Sequence, residues 1–222
     1  MINTVRARVI FGGTFDPIHH GHLRAAVEIA EALNVAQIDL IPSRDPVHRG
    51  VPGALASARM AMVRQAVASE PLLVANPIEL EAQRESFTLF TLQEMRAELG
   101  AEPPLVLVMG MDAFLGLESW RGWQDLLGYC HILVLMRPGY HPIMSTALES
   151  LLAQHGTEEL DELLHDSAGH IYLFEQTPLE VSASQVRQII ASGQNPRYLI
   201  PDAVWSYIQE NELYGFKRTE SN

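Results

Sequence analysis

Three histidines crowd into four positions of the segment Gly12-Gly13-Thr14-Phe15-Asp16-Pro17-Ile18-His19-His20-Gly21-His22. The glycine pair follows an apolar run, Arg8-Val9-Ile10-Phe11, that reads as a buried strand. Paired glycines at that place would let the backbone turn sharply and let a phosphate approach its N–H groups. A helix starting just beyond them offers further N–H groups and the positive end of its dipole to an anion. His19 and His22 are spaced to share one face of such a helix, aimed back toward the loop. Two imidazoles so placed can donate hydrogen bonds to phosphate oxygens and stabilise charge that develops on a departing phosphate group. Gly21, between them, would leave a bulky ligand room against the backbone. A glycine turn followed by a chance run of histidines is the plain alternative, and the length of the pattern weighs against it.

Other segments carry weaker signals. In Val181-Ser182-Ala183-Ser184-Gln185-Val186-Arg187, Ser182 and Gln185 have capping-box spacing. Capping leaves Arg187 unexplained, because a cation in the opening turns of a helix opposes the macrodipole; an anion bound at the same end would account for it. In Leu107-Val108-Met109-Gly110-Met111-Asp112, the Asp112 carboxylate could accept two ribose hydroxyls or could cap the next helix. Trp120, beside Arg121 and Gly122, suits a stacking platform for a flat ring, whereas Trp123 reads as core. Thr88 in Ser86-Phe87-Thr88 reads as an N-cap.

The first segment closely resembles the T/H-x-G-H signature of the nucleotidylyltransferase superfamily. With His at both ends and Gly-Gly-Thr-Phe-Asp-Pro before it, it is similar to the nicotinate-nucleotide adenylyltransferases. The resemblance runs from about residue 8 to the last helix. It implies that His19, His22 and Arg187 serve catalysis, with Arg187 and the helix start at Ser182 and Ser184 holding the β- and γ-phosphates. It assigns Gly12, Gly13, Thr14, Phe15, Gly110, Asp112 and Arg137 to ATP, with Asp112 on the ribose and Arg137 near the triphosphate. Arg137 could equally be a solvated surface residue. For the mononucleotide it implies stacking on Trp120, a backbone N–H near Thr88 for the pyridine carboxylate, and His48 near the phosphates. Arg121 could add attraction there, or stay on the surface. In Pro42-Ser43-Arg44-Asp45-Pro46-Val47-His48, Val47 departs from a family pattern that often has a second proline, so the loop carrying His48 is less stiff.

These residues need a scaffold that brings strand ends together. Apolar runs alternate with amphipathic stretches along the whole chain, which predicts an α/β fold: Rossmann-like, doubly wound, mostly parallel, with helices on both faces. Strands are expected at 8–11, 37–41, 72–74, 105–109, 131–136 and 171–174. Helices are expected at 23–33, 57–69, 88–99, 112–117, 124–127, 184–191 and 202–210. Ligands of such sheets bind beyond the carboxyl ends of the strands. Residues 1–222 are expected to form one nucleotidylyltransferase domain. Within it, 140–169 is read as a peripheral excursion containing a helix, and 217–222 as a frayed tail.

Composition sets the outer limits. A net charge of −12 argues against a nucleic-acid partner and requires the few basic residues to gather where phosphates bind. The single cysteine, Cys130, excludes an internal disulfide and any cysteine-based metal cluster, and its apolar surroundings mark a buried thiol. No signal peptide or membrane-spanning run is read, so a cytoplasmic chain with no membrane partner is expected. The implied reaction moves AMP from ATP to nicotinate mononucleotide, with Mg²⁺ carried by the nucleotide and no protein metal site. Its rivals are a phosphopantetheine or other small-phosphate nucleotidyltransferase and a non-catalytic nucleotide-binding module. Nothing in the sequence sets an oligomeric state.

Overall fold

A computed structural model describes residues 7–44, 52–137, 139 and 142–217. The strands are β1 (Arg8–Gly13), β2 (Ile38–Pro42), β3 (Leu73–Ala75), β4 (Leu105–Gly110), β5 (His131–Met136), β6 (Gly156–Thr157) and β7 (Ile171–Glu175). The helices are α1 (His20–Ala32), α2 (Ala56–Val67), α3 (Ile78–Glu81), α4 (Thr88–Leu99), α5 (Met111–Leu115), α6 (Thr146–His155), α7 (Glu162–His165), α8 (Ala183–Ala191) and α9 (Asp202–Glu210). Short 3₁₀ turns cover Leu117–Ser119, Trp123–Gly128 and Leu213–Gly215.

The strands form one sheet in the order β3-β2-β1-β4-β5-β7-β6, and every pairing is parallel. Parallel sheets bury both faces, which is why their strands read as continuous apolar runs. Side chains alternate between two cores. Val9, Phe11, Val106 and Val108 face one side, where they meet Ile29 of α1, Met62 of α2, Ile190 of α8 and Ile208 of α9. Ile10, Leu105, Leu107 and Met109 face the other, against Leu92 of α4, Phe114 of α5 and Leu148 of α6. The doubly wound α/β fold expected from the sequence is the one found.

Two expectations change. Helix α1 begins at His20 rather than Leu23, and its buried stripe is Ala25, Ala26, Ile29 and Ala30, with Leu23 and Val27 only half-buried. The excursion between 140 and 169 is also less peripheral than expected. Gly156 and Thr157 pair with Ile171 and Tyr172 to form the sheet edge, and Leu148 and Leu163 are fully buried. A two-residue strand of Gly and Thr has no periodicity to reveal it. Of the expected frayed tail, 218–222 lie outside the described residues.

The order of strands reverses beside β1: β2 and β3 lie on one side of it and β4 on the other. In open α/β sheets the crevice beyond the strand ends at such a point receives the ligand.

Candidate active site

A cavity of about 710 Å³ opens at that place. Its wall is built from the carboxyl ends of β1, β2, β4 and β5 and the amino ends of α1, α4, α5 and α8. Four helix starts thus converge on one space, and a helix start is where N–H groups lack partners within the helix.

Gly12 and Gly13 remain in β1, paired with Ile41 and Pro42, so the sharp turn expected of them falls instead at Phe15, with φ 48°. Packing requires a glycine at 13 but not at 12. A Cβ on Gly13 would stand 2.9 Å from the Phe15 ring, and one on Gly12 would project into the open. Phe15 itself is 1% exposed, its ring edge-on to His22 with centroids 5.0 Å apart. Its side chain is therefore a floor under the histidines, which leaves its backbone as the part able to reach a nucleotide. Gly21 lines the cavity, and a Cβ there would also press on Val181 at 3.0 Å and on the His19 ring at 3.1 Å, so protein packing favours a glycine as well.

His19 is the N-cap of α1 and His22 its third residue. Their rings stack at 3.6 Å between centroids, and the His19 N–H donates to His22 Nδ1 at 3.3 Å. That bond puts the His22 proton on Nε2, making Nε2 a hydrogen-bond donor. Burial, and then the neighbouring His20, push His19 down to about 4, so its ring is neutral near pH 7. His19 Nδ1 and Ser43 Oγ are both buried on the cavity wall with no hydrogen-bond partner among the described residues. Buried polar atoms of this kind call for a partner that arrives with the ligand or solvent.

Sequence reasoning passed over Asp16, which organises this loop. Its carboxylate accepts the N–H groups of Gly53 (2.7 Å) and Ala54 (3.1 Å) and the Tyr214 hydroxyl (2.8 Å). Burial and that carboxylate push the Tyr214 hydroxyl above its ordinary range. Arg187 Nη1 donates to the Asp16 carbonyl at 2.6 Å and stands 3.6 Å from its carboxylate. Arg187 therefore has a protein partner that capping logic did not foresee, while still lining the cavity. Fully buried Arg59 donates to the Thr14 carbonyl at 2.7 Å and the Arg44 carbonyl at 3.0 Å, fixing the loop from beneath.

At α8, Ser182 is the N-cap and accepts the Gln185 N–H at 3.2 Å. Ser182 and Arg187 line the cavity; Ser184, bonded to Ser182 at 3.1 Å between hydroxyls, is set back from it. At α5, Gly110 is the N-cap and Asp112 the second helical residue, exposed on the cavity wall, so the capping alternative for Asp112 falls. Arg137 is exposed on the wall just after β5.

At α4, Phe87 is the N-cap and makes no side-chain cap, so Thr88 is not the cap but the first helical residue, on the wall. Trp120 and Trp123 both pack against the second core, and of the two only half-buried Trp120 lines the cavity. Arg121 sits at the rim, paired with Glu85 at 3.0 Å and with its guanidinium 5.0 Å from the Phe87 ring centre. His48 lies outside the described residues. Cys130 is fully buried, its thiol pushed up to about 12 by burial. Among the described residues no group of His, Cys, Asp and Glu is arranged to hold a metal ion, and no helix is long and apolar enough to cross a membrane.

The cytidylyltransferase-like family model matches residues 10–189. A Pseudomonas putida protein named probable nicotinate-nucleotide adenylyltransferase is 47% identical over 210 residues, covering 95% of each chain. A Marinobacter nauticus protein of the same name is 44% identical over 212 residues, 96% of this chain and 98% of its own. The chain belongs to the nicotinate-nucleotide adenylyltransferase family. It is a nucleotidyltransferase. A solved family structure, Plasmodium falciparum nicotinic acid mononucleotide adenylyltransferase complexed with NaAD, superposes with a TM-score of 0.72 over 95% of this chain and 98% of that one. At 17% identity that likeness speaks to the fold.

Proposed function

We propose that this enzyme moves AMP from ATP to nicotinate mononucleotide in NAD biosynthesis, giving nicotinate adenine dinucleotide and pyrophosphate. The observation that carries the reading is the cavity itself. Its wall carries both the stacked His19–His22 pair with the start of α8, which suits phosphates, and Trp120 with the uncapped start of α4, which suits a flat anionic ring. The names of the relatives across the whole chain support the same choice.

In the proposed reaction a phosphate oxygen of the mononucleotide attacks the α-phosphorus of ATP. A new P–O bond forms there, and the bond to the bridging oxygen breaks, so the electron pair leaves on pyrophosphate. No side chain need act as nucleophile; the protein positions two anions and stabilises charge that moves. The Gly12-Gly13-Thr14-Phe15 backbone lies against the phosphates. His22 Nε2–H and the His19 ring meet the bridging oxygen, while Arg187, Ser182 and Arg137 hold the outer phosphates and Ser184, set back from the cavity, supports Ser182 through their hydroxyl contact. Gly110 and Asp112 take the adenosine, Asp112 through ribose hydroxyls. Trp120 stacks on the pyridine, and the α4 start at Thr88 faces its carboxylate, with Arg121 at the rim. Magnesium enters as part of the substrate, MgATP, where it neutralises phosphate charge.

The test is pyrophosphate release from MgATP with nicotinate mononucleotide, with phosphopantetheine, and with no acceptor. Release confined to the first supports the reading. Release with phosphopantetheine alone, or with no acceptor, contradicts it.

A further inference from the structure

We infer that Glu79 is a positioning residue for the pyridine end of the site, acting through the start of α4. The inference rests on the reading that nicotinate mononucleotide is the acceptor. Glu79 lies in the short helix α3, 9% exposed, on the wall of the cavity. One of its carboxylate oxygens accepts the Ser86 hydroxyl and the other accepts the Thr91 hydroxyl at 3.2 Å. Ser86 stands just before the N-cap Phe87, and Thr91, 2% exposed, lies one turn inside α4. A single buried carboxylate therefore grips the chain on both sides of the helix start.

That grip bears on what the helix start can offer. The Phe87 carbonyl takes the N–H groups of Phe90 (3.0 Å) and Thr91 (3.3 Å). No hydrogen bond within the described residues takes the N–H of Thr88, which is on the cavity wall. An orphan helix-start donor suits a carboxylate only while its direction is held. Side-chain donors from both flanks, fixed on one buried anion, hold it. The same bonds occupy Glu79. A carboxylate left open to the cavity would accept from an amide and repel an acid; here each oxygen already holds a hydroxyl donor.

Glu79→Ala removes the anchor and leaves two hydroxyls without it. Steady-state kinetics of the variant should show KM for nicotinate mononucleotide raised about tenfold to a hundredfold, as expected for the loss of charge-assisted hydrogen bonds. KM for ATP should change less than about twofold, and the acid-over-amide ratio of kcat/KM should fall by about the same factor as the acid KM rises. Glu79→Gln should recover most of the loss, because the amide accepts from Thr91 and donates to the Ser86 oxygen. If Glu79→Ala does not fold, the Ser86→Ala/Thr91→Val double variant makes the same cut from the other side and should give the same selective rise. Unchanged acid KM in a folded Glu79→Ala, or in the double variant, overturns the inference. So does an equal rise for ATP and the mononucleotide. Wild-type enzyme that fails to use nicotinate mononucleotide refutes the functional reading instead, before any variant is made.

Discussion

Replacing His19 by Asn should remove a large pH dependence of folding stability. His19 is 6% exposed, and its pKa is held down from 6.5 to about 4, first by burial and then by His20. As pH falls, the unfolded chain takes a proton at this ring near 6.5, whereas the folded chain resists until about 4. Protons therefore favour unfolding within that window. The stabilisation is complete above 6.5 and lost progressively as pH drops to 4, with no further loss below. The interval is worth about 3 kcal/mol, a sizeable fraction of a typical domain's stability. Asn does not titrate and is itself a favoured N-cap, the position His19 holds at the start of α1. Urea unfolding of the nucleotide-free protein, followed by tryptophan fluorescence at pH 7.5 and 4.5, measures the effect. Wild type should lose about 2–3 kcal/mol more than His19→Asn over that range. His131, which burial also lowers, contributes equally to both proteins and cancels. Parallel losses in the two proteins would refute the buried, neutral state of His19.

Further outcomes follow from the same geometry. His22→Ala should slow the chemical step about a hundredfold or more with a smaller change in nucleotide affinity, since a donor aimed at the leaving oxygen acts mainly as charge develops; single-turnover kinetics separate the two. Arg187→Ala should weaken binding of ATP and pyrophosphate while leaving mononucleotide binding nearly intact, and isothermal titration with each ligand checks it. Because Arg187 also holds the Asp16 carbonyl at 2.6 Å, a fall in Tm should accompany that loss.

Much of the scaffold was legible because a parallel sheet buries both faces of its strands. The runs at 105–109 and 131–136 could hardly be anything else, and α4 and α9 have the bounds expected of them. The site was legible in part. His19, His22, Arg187, Asp112, Thr88 and Trp120 do meet around one cavity, brought there by strand ends that the topology aligns. The reasons for the glycines were not legible. The clash of a Gly13 side chain with Phe15 depends on a ring folded back beneath the strand, and the tight fit at Gly21 on Val181 from a distant segment. Asp16 and Glu79 escaped for a related cause. A lone carboxylate has no local signature when its partners, such as Tyr214 for Asp16, lie far along the chain. Capping logic erred by a residue or two at α4 and α5, where Phe87 and Gly110 rather than Thr88 and Asp112 take the cap, leaving those helix starts open toward the cavity.

The open start of α4 equips this nucleotidyltransferase for selection of an acceptor bearing a pyridine carboxylate. That selection is tested most directly by kcat/KM for nicotinate and nicotinamide mononucleotides at fixed MgATP. A helix start presents N–H donors, which satisfy a carboxylate and face an amide NH₂ with nothing to accept its hydrogens. Each such mismatch costs about 1–3 kcal/mol, so two give a preference for the acid on the order of a hundredfold or more. That is the predicted result; equal values, or a preference for the amide, would contradict it.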